Sequence, residues 1–275
     1  MINIPIPWTN DITAYGRQYT VNRKDQFQTR PDGAYASATA KGGTVGSDLP
    51  AGSKVKIIDI NGTNHTFLIV HQGIPDTQIY DVSCDGIWLL RKNVYTSVVW
   101  YNQTGNVNYA ISNVNTFCNN TFLNLFDQWI KDKIKEVKIP YMENDILHSG
   151  NDGLATKAFV PSVVELGVPV DSKNYVPQDG KKLDYFLAGE NTESYAFRVA
   201  TNDNGTAVEW WSRTRWKNSY GIQNNVWYIR DNGSKNNASL TVSKNVRPAF
   251  ILPSNTLFSL EPDADGCYTL IGGVS

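Results

Sequence analysis

The sequence predicts an α+β domain, antiparallel sheet with two helices laid on one side, and three observations predict it. Short alternating apolar runs recur between Leu49 and Lys92. A stretch from Ser112 to Val137 carries apolar residues at three-and-four spacing. From Tyr195 onward, strand-like runs are divided by clusters of Asn, Gly, Asp and Ser.

Each element has a local reason. The runs Lys54 to Ile60 and His65 to His71 flank Asn61-Gly62, a dipeptide that favours the tight turn of a hairpin, so both are expected as strands. Gly86 to Lys92, GIWLLRK, supplies a third strand for the same sheet. Val114, Phe117, Cys118, Phe122, Leu125, Phe126, Trp129, Ile130, Ile134 and Val137 then form a helical stripe. Ser112 is the expected first cap and Asp127 the second, giving helices over 113 to 124 and 128 to 137, with the stripe as core. Lys181 to Gly189 reads as one or two further helical turns stopped by Gly189. Five strands follow: Tyr195 to Ala200, Val208 to Arg213, Asn225 to Asp231, Ala238 to Ser243 and Arg247 to Pro253. Asp231 to Ser234, DNGS, is a hairpin turn by composition.

Composition sets the functional limits. The 275 residues accommodate one large domain, or one of about 200 residues with an attachment segment. Residues 1–48 are polar, weakly periodic and rich in Gly, Ala, Thr and Arg. They are expected to be an extended attachment or oligomerisation arm anchored by Trp8, Tyr15, Tyr19 and Phe27, the alternative being a floppy terminus, with the domain proper over 49–275. Apolar residues at 41% against 19% charged point to a folded chain. Eight Trp, fourteen Tyr and abundant Asn are the residue types that recognition surfaces favour. A net charge of −1 and a pI of 6.3 offer phosphate backbones no attraction, so no nucleic-acid partner is expected. No stretch reaches the roughly 18 apolar residues a spanning helix needs, and MINIPIPWTND lacks the basic and apolar parts of a signal peptide. Synthesis in the cytoplasm without membrane insertion is expected, with carriage outside the cell on a larger particle.

Cofactor chemistry has no foothold in the pattern. Cys84, Cys118 and Cys267 are odd in number and far apart, and His65, His71 and His148 are scattered, so neither a disulfide framework nor a metal ligand set is expected. No phosphate loop, GxSxG or HExxH occurs. Glu209, Asp203 and Asp231 could make an acid and base pair of the glycosidase kind, but nothing in their spacing selects it.

The segments EWWSRTRW, NNVWYIRDNGS and NVRPAFILPSNT, with HQGIPDTQIYDVSCDGIWLLRK and NNTFLNLFDQWIKDKIKEVKIPY upstream, resemble the C-type-lectin-like proteins of gut bacteria and their phages. The resemblance covers roughly residues 49 to 258. It implies a C-type-lectin-like domain. It also implies the role of a variable protein of a diversity-generating retroelement, or of a phage tail receptor-binding protein related in kind to the major tropism determinant. Ser212, Thr214 and Arg215 depart from the Leu, Ser and Pro usual there, which leaves the first loop's conformation open. The formylglycine-generating relatives of this fold depend on a cysteine pair with no counterpart here. The expected partner is a protein or glycan receptor on a cell surface, met by a homo-oligomer, a trimer by resemblance.

Within that frame, Trp210-Trp211 and Val246 to Leu252 hold the fold while residues 210–247 carry the variable binding face. Trp216, Lys217, Asn218, Tyr220, Asn224, Tyr228, Arg230, Lys235, Asn236, Asn237, Ser243 and Lys244 are the expected ligand contacts, each polar or amphipathic. Asn codons carry two adenines, the bases such retroelements mutate. Arg213, Arg215, Lys217, Arg230, Lys235 and Lys244 outnumber Asp231, which would suit an anionic ligand, while a handful of solvated lysines is the commoner explanation of such a run. The alternative is a fixed-specificity carbohydrate-binding lectin or adhesin. A calcium-dependent version has Glu261-Pro262-Asp263 as its sole echo, and a polar turn explains that motif equally well.

Overall fold

The Asn61-Gly62 turn forms as the sequence requires. Gly62 takes φ +84° and donates to Asp59, while the Asp59 carboxylate accepts from the backbone N–H groups of Asn61 and Thr63, both at 2.8 Å. This computed structural model describes residues 43–273 except 103–106, 144, 174 and 217–223, together with the paired segments Ile12–Thr13 and Arg17–Gln18. The anchors Trp8, Tyr15, Tyr19 and Phe27 lie outside the described residues. Thr44–Val45 already belongs to the main sheet, so the folded part begins before the expected boundary at 49.

The turn joins Lys54–Ile58 to Asn64–Gln72, and Ile87–Arg91 pairs next to them. All five residues of Ile87–Arg91 are buried, because this strand is covered on both faces, which is why it reads as a continuous apolar run. The complete eight-stranded order is Ala158–Phe159, Ala249–Leu252, Ile87–Arg91, Asn64–Gln72, Lys54–Ile58, Cys267–Gly273, Thr256–Phe258 and Thr44–Val45.

Ser112 caps the helical stretch, its hydroxyl accepting from the Asn115 N–H at 3.0 Å. The expected first helix is an α turn, Asn113–Thr116, that widens to a π segment, Phe117–Phe122, and tightens to a 3-10 turn, Leu123–Leu125. Its stripe packs on the sheet: Phe122 meets Phe126 edge to face at 5.4 Å, and Phe67 meets Phe250 at 5.0 Å beneath them. Asp127 occupies the second cap position but makes no side-chain capping bond, and the helix Gln128–Lys133 ends short of the expected residue 137. The reason is tertiary: Lys135 N–H donates to Ile251 O, and the β-branched Val137–Ile139 pairs with Leu154–Thr156 as a strand.

Two further expectations are overturned. Lys181 to Gly189 is a turn rather than a helix, because Tyr185 N–H is taken by Val70 O and Leu183 and Phe186 are drawn into the core. Tyr195 to Ala200 is not a strand but the second half of a helix, Thr192–Arg198. Asn191 starts it by accepting from Ser194 N–H at 3.0 Å while the Ser194 hydroxyl accepts from Asn191 N–H, a reciprocal cap.

The second sheet has the order Lys235–Ser239, Asn225–Ile229, Trp210–Trp216, Ser243–Val246 and Thr96–Val99. The expected strand from Ala238 to Ser243 is therefore two strands with a turn between them, and the strand expected from Val208 runs instead from Trp210 to Trp216. Neither sheet is wholly antiparallel. Trp210–Trp216 meets Ser243–Val246 in parallel, as Cys267–Gly273 meets Lys54–Ile58. Among the described residues no helix is long and apolar enough to cross a membrane. The architecture is a mixed α+β fold dominated by sheet.

DNGS makes the hairpin between Asn225–Ile229 and Lys235–Ser239, closed by Arg230 N–H to Ser234 O at 2.8 Å. Gly233 sits there at φ +86°, and a Cβ on it would lie 2.0 Å from the carbonyl oxygen of Tyr195 in the neighbouring helix. Gly233→Ala is expected to cost about 2 kcal/mol or more in denaturant unfolding, from backbone strain and the clash together.

Candidate functional site

The segment from Trp210 divides into framework and face. Trp210, Trp211, Ser212 and Thr214 are buried, Trp210 Nε1 donating to Arg198 O at 3.1 Å and Trp211 Nε1 to Val98 O at 2.9 Å. Arg213 lies fully inside. Its Nε donates to Pro140 O, Nη1 to Val160 O and Glu165, and Nη2 to Glu165 and Asp179 O, the two carboxylate bonds measuring 2.7 and 2.6 Å. Glu165 in turn accepts from Tyr80 Oη at 2.6 Å and Ser162 N–H at 2.9 Å. Ser212, Thr214 and Arg215 continue the strand, with a register shift between Trp211 and Arg215, so the stretch left open as a loop is a bulge within a strand.

The expected contact residues are dispersed, and Trp216 is half-buried at the end of the Trp210–Trp216 strand. Lys217, Asn218 and Tyr220 lie outside the described residues. Tyr228, Asn236 and Lys244 meet on the face that carries Trp211: Lys244 Nζ sits 3.8 Å from the Tyr228 ring centroid, and Asn236 Nδ2 donates to Tyr228 Oη at 3.3 Å. Tyr228 is buried rather than presented, 7% exposed, and burial followed by the Glu209 carboxylate raises its phenol above the usual value. On the opposite face Asn225 donates to Asn237 at 2.6 Å, and Lys235 lies 5.2 Å from the Trp227 ring centroid. Asn224 is half-buried beside the start of the hairpin; Arg230 and Ser243 are exposed. Substituting Tyr228 is therefore a change to packing as well as to the surface.

The expected cationic surface also dissolves. Arg213 and Arg215 are buried and paired with Glu165 and Asp145, Lys235 pairs with Glu190, and Lys244 pairs with Glu209 at 3.0 Å. Of that set, Arg230 is left exposed among the described residues.

Sequence reasoning missed a cavity of about 350 Å³ at the end of the Trp210–Trp216 strand. Met142, Val170, Val176 and Pro177 give it an apolar wall, and Arg215 with Asp145 closes its charged end. Arg215 Nη1 donates to Asp145 at 2.6 Å, while its buried Nε and Nη2 have no hydrogen-bond partner. Tyr175 stands on the wall at φ +57°, a left-handed conformation that costs a non-glycine residue on the order of 1 kcal/mol. It is fixed there by Trp227 Nε1, which donates to its carbonyl at 3.0 Å, and by the edge-on ring of Trp216 at 6.2 Å. The sequence carried no local signal for the cavity, because Met142, Asp145, Val170, Val176, Pro177 and Arg215 are brought together from three separate stretches.

Other chemistries find little purchase. Glu209 is tied to Lys244, Asp203 lies 4.0 Å from Arg91, and Asp231 sits exposed in the hairpin turn. Among the described residues no group of three or more His, Cys, Asp or Glu side chains is placed to hold a metal ion. Glu261-Pro262-Asp263 leads into a turn: the Asp263 carboxylate accepts from the N–H groups of Asp265 and Cys267 and pairs with Lys56, which holds it down at about 2. Cys84, Cys118 and Cys267 are free and buried, and desolvation pushes the Cys84 thiol up to about 12, far from a reactive thiolate.

A family model described as "Domain of unknown function (DUF6273)" matches residues 85–254. That span is more than half of the chain and takes in the Arg213 and Glu165 pair and the cavity, and the protein belongs to this family. No curated protein and no solved structure matches the chain.

Beside the Arg213 and Glu165 pair, Asp179 is completely buried, and desolvation, opposed by the Arg213 charge, pushes its carboxyl up to about 7. An unfolded Asp titrates near about 3.9, so between there and about 7 the folded chain binds the extra proton and loses stability as pH rises. Denaturant unfolding across that window is expected to show wild type losing stability relative to Asp179→Asn as pH increases. A pH-independent difference would mean the group does not titrate there.

Proposed function

We propose that this chain is a non-enzymatic recognition protein with a C-type-lectin-like fold, presenting residues 210–247 to a protein or glycan receptor on a cell surface. In this reading it is a diversified binder, a retroelement variable protein or phage tail receptor-binding protein carried on the virion. Many copies acting together, as a homo-oligomer, raise weak single contacts to useful affinity.

The observation that carries the reading is the separation of roles within one segment. Trp210, Trp211, Val226, Ile229 and Val246 are buried to 0% exposure, whereas every residue from Lys235 to Ser239 is partly exposed. A scaffold whose core residues alternate with accessible polar ones can change the latter at little cost to folding. The mixed α+β architecture, with a helical layer on the sheet that holds Phe67 and Phe250, is consistent with the lectin-like assignment. The engaged state of Glu209 and the burial of Glu165, Asp179 and Tyr80 favour binding over catalysis, because a catalytic group must reach its substrate.

Sequencing this gene across a population of its source tests the proposal. Substitutions are expected at Trp216, Asn224, Arg230, Lys235, Asn236, Asn237, Ser243 and Lys244, at adenines of a nearby template copy, with Trp210, Trp211, Arg213, Val226, Ile229 and Val246 unchanged. A segment no more variable than the rest of the gene leaves a fixed-specificity lectin or adhesin, and binding that persists in chelator removes calcium from that alternative.

A further inference from the structure

We infer that the cavity at Arg215 is a binding site for a ligand bearing one carboxylate on a compact apolar body. The inference rests on reading this side of the molecule as a recognition surface, and it names what one part of that surface takes.

Arg215 is 4% exposed, and only one end of its guanidinium is occupied: Nη1 donates to Asp145 at 2.6 Å, while Nε and Nη2 are without a partner. Buried N–H donors are nearly always satisfied in folded proteins, so two unpartnered ones on a residue that lines a cavity mark where an acceptor belongs. The choice of atoms is informative. Nε–H and the adjacent Nη2–H project side by side from the planar group, the fork that receives both oxygens of one carboxylate.

Charge and shape narrow the ligand further. Asp145 takes one end of the guanidinium, and the remaining fork of Nε and Nη2 matches the two oxygens of a single carboxylate. A phosphate group calls for more donors than this single fork supplies. Away from the guanidinium the wall is Met142, Val170, Val176 and Pro177, which receive a hydrocarbon body. A volume of about 350 Å³ suits a small molecule or one terminal residue of a chain. The wall is held rather than adaptable, since the Tyr175 carbonyl is bonded to Trp227 and its ring abuts Trp216.

The shared chemistry has two sources: a free short-chain carboxylic acid, or the C-terminal carboxylate of a peptide ending in an apolar residue. The experiment titrates the full chain with hexanoate and hexanamide, and with acetyl-Gly-Gly-Leu as free acid and as amide, by calorimetry or ligand-observed NMR. An acid is expected to bind with its amide at least about tenfold weaker. Arg215→Lys, which keeps the charge and loses the fork, is expected to weaken the acid at least about tenfold. Val170→Trp on the exposed rim is expected to block the acid while leaving the guanidinium in place, with circular dichroism and Tm confirming the fold of each variant. Binding of hexanoate assigns the free acid as source; binding of the peptide acid alone assigns a chain terminus; each supports the site. Acids and amides binding alike, Val170→Trp leaving acid binding intact, or no acid binding to the folded wild type overturns it. None of these outcomes touches the population-sequence test, so the two readings fail separately.

Discussion

Arg213 spends its side-chain donors on groups drawn from four separated places in the chain: the carbonyls of Pro140, Val160 and Asp179 and both oxygens of Glu165. Taking the two charges from water is costly, and mutual attraction repays it only when the geometry is good and the remaining polar atoms are satisfied. Here they are satisfied, since Glu165 also accepts from Tyr80 and from Ser162 N–H. Removing one partner of such a pair typically costs about 3–5 kcal/mol, because the other charge is stranded inside. The chain around this pair has little regular structure, so the ion pair takes over the ordering that a sheet ladder supplies elsewhere.

The cavity depends on the same residue. Pro140 leads into Tyr141–Glu143, which contributes Met142 to one wall, and Asp179 follows Pro177 and Gln178, which form another. Arg213 therefore ties down two walls at their roots, and Arg215, two residues further along the same strand, supplies the charged end. Two arginines at alternate positions of one strand thus divide the labour. One is saturated with partners and holds loops; the other, buried beside the cavity, keeps two donors without a partner.

What was legible in the sequence follows from the range of the forces involved. The Lys54–Ile58 and Asn64–Gln72 hairpin could be read because its turn chemistry and alternation are local, and the Ser112 cap for the same reason. The DNGS turn was equally plain. Tyr195 to Ala200 misled because its aromatic and β-branched residues favour strand, while the decisive Asn191 and Ser194 reciprocal cap lay just upstream. Val137 fitted the helical stripe, and the hydrogen bond from Lys135 to Ile251 together with pairing to Leu154–Thr156 made it a strand. At the site the framework role of Trp210 and Trp211 was legible from size and apolarity alone. The fate of Arg213 and Arg215 was not, since polarity predicts exposure and nothing local announced Glu165 and Asp145 as partners.

Under the proposed reading of this face as a recognition surface, the pairing of these cations changes how it would select a ligand. A surface of six unpaired cations would attract anions at long range and lose its ligand as salt rose. Pairing Lys235 with Glu190 and Lys244 with Glu209 cancels most of that field, and Lys244 turns its remaining attraction on the Tyr228 ring. What the proposed binding face then offers is short-range: half-exposed Asn amides, the edge of Trp216, and the two unpartnered donors of Arg215 beside the cavity. Short-range contacts of this kind are strict about shape and indifferent to distant charge. A face built from them can exchange individual polar side chains without altering the potential that the rest of the fold experiences.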